Sequence, residues 1–224
     1  MRTQLVIALA ALFLLPRPVC ANDATAALEA AAVSGEFVDL ATIEGVVVDL
    51  KYASTSNVLG ENIYGGFKTA LMRREGARML AQAASRLRAD RPGYSLLIFD
   101  ALRPRSIQRL FWSKVKGTPF QKYVADPEKG SIHNFGMALD ITAMDETGHE
   151  LDMGTAYDDF TQLAQPRTEK DNLARGLLSA QQAANRLILR SAMESAGFIQ
   201  NPIEWWHYDA MPKDKVRAIY KIVE

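Results

Sequence analysis

Ser131-Ile132-His133-Asn134-Phe135-Gly136-Met137-Ala138-Leu139-Asp140 sets a histidine in a short loop and, seven residues on, an aspartate in an entering strand. Gly136 lets the chain turn closely between them. With the two-residue alternation of a strand, Ala138, Asp140 and Thr142 share one face, while Leu139 and Ile141 face the other. The carboxylate therefore stands on a small, polar face backed by an apolar one. Glu146-Thr147-Gly148 then marks a turn that returns the chain antiparallel.

Upstream of this stretch, residues 46–50 form a β-branched run ending near Tyr52, and Gly60, Gly65 and Gly66 mark a loop. Met72, Met79, Leu80, Ala83, Ala84 and Leu87 recur at three-to-four spacing, which predicts an amphipathic helix over 69–89. A compact apolar strand is expected over 94–99 and a second helix from Pro104 to Lys116. Downstream, Ser179 and Gln182 form a capping box for a helix that buries Ala184, Leu187, Ile188 and Ala192 and stops at Gly197. Residues 198–208 read as a strand with an irregular centre at Asn201-Pro202, and 212–223 as a terminal helix. Residues 22–36 read as a loosely attached leader or short helix, and 161–175 as a variable lid. Strands and helices do not alternate regularly, so the expected class is α+β, a small antiparallel sheet with flanking helices in one domain.

The 224 residues are 48% hydrophobic and 23% charged, as in ordinary globular proteins. Lys plus Arg and Asp plus Glu both number 26, so no global field gathers nucleic acid or an anionic bilayer. A small or neutral partner fits better. Residues 1–21 read as an export signal, with Arg2, an apolar run over 5–15 and small residues around Val19-Cys20-Ala21. That run is short of the ~20 apolar residues a membrane span needs. The mature domain is then 22–224, exported and periplasmic. Cleavage removes Cys20, the only cysteine, so the domain has neither a disulfide nor a thiolate to use.

The second chemical signal is Glu204-Trp205-Trp206-His207. In a regular strand Glu204 and His207 would face opposite sides, so a bulge or turn must bring them to one site. Together with the first motif they supply two imidazoles and a carboxylate. That set suits catalytic zinc, one ion per chain, and leaves a position for water. Glu204 is placed to act as general base, and Arg103 to supply a fixed positive donor. Taken singly, each residue has an ordinary structural role open to it: a packed histidine, a turn-capping Asp140, core tryptophans, an ion-paired Arg103. His149, beside Gly148, reads as an exposed hairpin residue.

These motifs resemble those of the D-alanyl-D-alanine dipeptidases of the vancomycin-resistance (VanX) type. They sit within a wider group of zinc peptidases that also holds D,D-carboxypeptidases, cell-wall endopeptidases and the Hedgehog signalling domain. The group's S-x-H-x-x-G-x-A-x-D and E-x-x-H are intact at Ser131 to Asp140 and at Glu204 to His207. The dipeptidase branch is matched by Asp49-Leu50-Lys51-Tyr52-Ala53, Phe99-Asp100-Ala101-Leu102-Arg103-Pro104 and Met153-Gly154-Thr155-Ala156-Tyr157-Asp158. The resemblance implies zinc ligands at His133, Asp140 and His207, a base at Glu204 and a transition-state arginine at Arg103. It implies dipeptide contacts at Tyr52, Ser131 and Asp158, the first and last holding a free ammonium. Asn134 and Phe135 depart from the family pattern and are expected at the pocket rim. A D,D-carboxypeptidase or endopeptidase using the same centre is the enzymatic alternative, and a non-catalytic zinc-bearing binding module the alternative of another class.

Overall fold

The computed structural model describes residues 21–224, so all of the expected signal segment but Ala21, Cys20 included, lies outside the described residues. Thirteen elements carry the fold. In chain order they are α1 (Ala21–Val33), β1 (Phe37–Asp39), β2 (Val46–Val48), β3 (Leu71–Arg73), α2 (Arg74–Asp90), β4 (Ser95–Asp100), α3 (Arg105–Val115), β5 (Ala138–Met144), α4 (Glu169–Ala174), α5 (Ala180–Ser195), β6 (Ile199–Gln200), β7 (His207–Asp209) and α6 (Lys213–Ile219). Short 3-10 turns link them.

The main sheet has the order β2-β4-β5-β7-β6. Its pairs are antiparallel except at the β2 edge, where β2 runs parallel to β4. The small antiparallel sheet expected from sequence is thus mixed at one edge. All seven residues of β5 are buried, as suits a central strand covered on both faces. α2 lies against β4 and α5 against β5, and the two helices pack on each other. Burying Leu80 and Leu87 of α2 contributes about 1.5–3 kcal/mol each. Among the described residues no helix is long and apolar enough to cross a membrane.

Several local expectations change in the folded chain. α2 starts at Arg74 because Leu71–Arg73 pair instead with β1, far upstream in the chain, in register Phe37↔Arg73. The Ala-rich segment, expected as a loosely attached leader or a short helix, is helix α1 and is docked, with Ala24 and Leu28 completely buried. The capping box of Ser179 and Gln182 forms, but α5 buries Asn185, Arg186, Leu189, Ala192 and Met193 and leaves Leu187 exposed. The helix is rotated because buried Arg186 bonds inward. Residues 198–208 are two strands of a hairpin, β6 and β7, and the Asn201-Pro202 break is its connecting turn. The Glu146-Thr147-Gly148 turn does reverse the chain, though it closes with a single antiparallel bridge, Met144↔Glu150. Residues 161–175 contain α4 and are docked: Ala164 is fully buried and its carbonyl accepts from the Trp205 amide.

Candidate active site

Strand register assembles the centre. Asp140 lies opposite His207 across β5–β7 and opposite Asp100 across β4–β5. His133 comes from the 3-10 turn Ile132–Phe135, just upstream of β5. Gly136 ends that turn at φ 69°, where a Cβ would stand 2.6 Å from the Phe37 ring, so glycine is required for both conformation and space.

His133 Nε2 is 3.1 Å from His207 Nδ1 and 3.3 Å from Asp140 Oδ1, and His207 Nδ1 is 3.1 Å from the same oxygen. The other ring nitrogens face outward, His133 Nδ1 to the Ala101 carbonyl at 2.7 Å and His207 Nε2 to Asp209 Oδ1 at 2.9 Å. A carbonyl and a carboxylate accept only, so the outward nitrogens carry the hydrogens and the inward ones offer lone pairs. With neutral rings, three lone-pair atoms converge with no proton among them, an arrangement that calls for a cation. Tetrahedral zinc with bonds of about 2.0–2.1 Å sets its ligands about 3.3 Å apart, close to the spacings found. The surrounding charge also favours a cation. Against its burial, Asp209 and Asp140 push the His207 imidazole up to about 10. Burial works likewise against Asp140, yet His133 and His207 hold its carboxyl well below the usual carboxylate range.

The second oxygen of Asp140 accepts from the Tyr157 hydroxyl at 2.9 Å and from Arg103 Nη2 at 3.3 Å. Arg103 is pinned by Asp100, whose Oδ2 lies 2.8 Å from Nε and 2.6 Å from Nη2. Burial opposes the guanidinium charge, but Asp100 foremost holds its pKa well above the ordinary value. Tyr64 donates to the other oxygen of Asp100 at 2.7 Å.

Glu204 lies in the turn before β7, so it escapes the strand alternation that would turn it away from His207. Its Oε2 accepts from Asn201 Nδ2 at 2.6 Å and stands 3.9 Å from His207 Nδ1. Burial, only partly offset by His207, raises its carboxyl to about 7. The Tyr52 hydroxyl donates to Asp158 Oδ2 at 2.9 Å. Asp158 is the one non-glycine with positive φ, 60°, among the described residues. Burial first, then repulsion from Asp140, pushes its carboxyl up to about 8. Ser131 opens the His133 turn, its amide donating to Asn134 Oδ1 at 2.7 Å.

All eight residues nominated from sequence line one cleft of about 510 Å³. His149 is exposed and outside it, with Nδ1 2.6 Å from Thr147 Oγ1. Asn134 and Phe135 are not at the rim. Both are buried, and Asn134 ties the turn to the Arg103 carbonyl at 2.7 Å.

Sequence reasoning passed over Asp100, Tyr157, Asp209 and Arg186. Asp209 carried a usable signal, since a residue two beyond His207 in a strand shares its face. Arg186 carried none. Almost fully buried, it donates to the carbonyls of Met153 at 2.8 Å and Leu163 at 3.0 Å, holding the segment that bears Tyr157 and Asp158. Trp205 Nε1 anchors the same segment through Thr155 Oγ1 at 2.8 Å.

The profile of D-Ala-D-Ala dipeptidases matches residues 33–222. The chain is 34% identical over 175 residues to a D-alanyl-D-alanine dipeptidase of Escherichia coli strain K12, covering 78% of this chain and 84% of that protein. To the Synechocystis D-alanyl-D-alanine dipeptidase it is 31% identical over 175 residues, 65% of this chain and 71% of that one. To that of Enterococcus faecium it is 30% identical over 184 residues, with 74% and 86% covered.

Proposed function

Because the chain belongs to the D-Ala-D-Ala dipeptidase family, we propose that it hydrolyses D-Ala-D-Ala using zinc held by His133, Asp140 and His207, with Glu204 as general base. The observation that carries the zinc assignment is the convergence of His133 Nε2, His207 Nδ1 and Asp140 Oδ1 with both ring hydrogens turned outward.

Zinc bound there supplies Lewis acidity, polarising a carbonyl and bringing the pKa of water to about 7. The chain's own groups do the rest. Glu204 takes a proton from the attacking water and delivers it to the amine that leaves as the C–N bond breaks. A carboxyl near 7 suits both transfers at neutral pH. Arg103, fixed by Asp100 and unable to swing away, faces the negative charge that grows on the carbonyl oxygen. Tyr52 and Asp158 receive the free ammonium, whose charge restores the Asp158 carboxylate that burial otherwise disfavours. Ser131 meets the dipeptide from the loop that carries His133. The buried rings of Trp206 and Phe111 keep water from the reacting groups.

The test is to incubate zinc-loaded protein with D-Ala-D-Ala, L-Ala-L-Ala and a pentapeptide ending in D-Ala-D-Ala, and to measure free alanine with and without a chelator. Chelator-sensitive release from D-Ala-D-Ala alone is expected. Equal release from the pentapeptide would replace this reading with a D,D-carboxypeptidase, and zinc binding without any release would make the chain a binding module. We also assign the protein to the exported, periplasmic fraction, on the apolar run over 5–15. Cell fractionation that leaves it wholly cytoplasmic would refute that.

A further inference from the structure

The cleft is larger than the dipeptide proposed to fill it. At the ~30 Å³ that liquid water allots to a molecule, the roughly 11 non-hydrogen atoms of alanylalanine need no more than about 330 Å³. The cleft offers about 510 Å³.

The wall next to Tyr52 and Asp158 has a distinct character. Tyr52, whose hydroxyl holds Asp158, packs its ring 4.9 Å from that of Phe111 on α3. Gln108, Phe111 and Val115 follow at spacings of three and four along α3, which puts them on one face, and all three line the cleft. Leu59, from the loop after Tyr52, and Phe160, two residues beyond Asp158, line it as well. The space beside the ammonium-binding pair is therefore walled mainly by apolar side chains.

A hydrogen bond from a buried side chain fixes this wall. Gln108 is 1% exposed, and its Nε2 donates to the Ala125 carbonyl at 2.8 Å. That bond ties α3 to Ala125, which also lines the cleft.

We propose that this compartment receives the side chain of the dipeptide's first residue, and that the enzyme prefers D,D-dipeptides whose amino-end side chain is apolar and larger than methyl. The proposal rests on the dipeptidase reading above and on Tyr52 and Asp158 as the amino-end subsite. A peptidoglycan stem extended from the amino end is the wrong occupant, because its polar groups would lose water against Leu59, Phe111 and Val115.

The experiment compares kcat/KM of the zinc-loaded protein on D-Ala-D-Ala, D-Leu-D-Ala, D-Phe-D-Ala and N-acetyl-D-Ala-D-Ala. The larger dipeptides should exceed D-Ala-D-Ala by about 10-fold, the scale of a buried methylene in a hydrophobic pocket. Val115→Trp, which fills the compartment, should cut the ratio of D-Leu-D-Ala to D-Ala-D-Ala at least 10-fold while zinc content holds. If Val115→Trp does not fold, the wild-type ratios decide alone. The proposal is overturned if D-Leu-D-Ala and D-Phe-D-Ala are cleaved no faster than D-Ala-D-Ala, or if the acetylated peptide is preferred to all of them. With D-Ala-D-Ala still cleaved, the first of those results leaves the dipeptidase reading standing. No cleavage of any D,D-dipeptide sinks both.

Discussion

Replacing Asp209 should weaken zinc binding although Asp209 is no ligand. Its Oδ1 accepts from His207 Nε2 at 2.9 Å, which turns Nδ1 toward the centre. It is also the group that does most to raise the His207 pKa, so it strengthens that imidazole as a donor. Losing such an outer partner typically costs 10- to 100-fold in metal affinity, or about 1.4–2.7 kcal/mol. Two details divide that range. Asp209→Asn keeps the shape and an acceptor oxygen but loses the charge, and it turns its amide nitrogen toward Lys213, whose Nζ lies 3.7 Å from Oδ2 in the native protein. A loss of ~10-fold is expected. Asp209→Ala also strands the His207 N–H in a buried position, so ~100-fold is expected. Zinc affinity is measured by competition with a chromophoric chelator, with a melting curve on each variant to confirm folding. If both variants melt normally and bind zinc within about twofold of wild type, far below the expected range, then His207 is not oriented through Nε2 and the assignment of Nδ1 as the ligand atom is wrong.

Glu204→Gln should retain zinc and lose at least ~10²-fold in turnover of D-Ala-D-Ala; near-normal turnover would move the base elsewhere. Asp158→Asn should melt progressively higher than wild type as pH rises from about 4 to about 8, with the gap constant above that. The sign follows from a carboxyl whose folded pKa is raised. The stability it contributes is complete below the ordinary value of 3.8 and is lost as pH climbs through about 8, while asparagine, which tolerates the φ of 60°, does not titrate. A pH-independent difference would refute the burial argument. Gly136→Ala should destabilise the fold by ~1–3 kcal/mol in denaturant titration, from its positive φ and the approach to Phe37. Unchanged stability would mean the turn is freer than described.

Features set by near neighbours in the chain were legible in the sequence. The Ser131 to Asp140 stretch, the capping box at Ser179 and Gln182, and helix α3 all follow from rules that span a few residues, and the structure contains each of them. The choice of His133, Asp140, His207 and Glu204 came from residue chemistry in the two motifs, and that of Arg103 from the need for a fixed positive donor beside them; all five line one cleft. Sequence also posed the Glu204 problem, that strand alternation would separate it from His207; the turn ahead of β7 resolves it.

What tertiary structure decided depends on which distant segments meet. Leu71–Arg73 read as the start of a helix until β1 offered them hydrogen bonds, and the parallel pairing of β2 with β4 leaves no local trace. Arg186 was not among the residues this helix was expected to bury, yet the carbonyls of Met153 and Leu163 draw it inward and turn α5 with it. The same holds for the site's supporting groups. A side chain declares its chemistry wherever it stands, but Asp100 acts on Arg103, Tyr157 on Asp140 and Asp209 on His207 only through distances and burial that the packed sheet imposes.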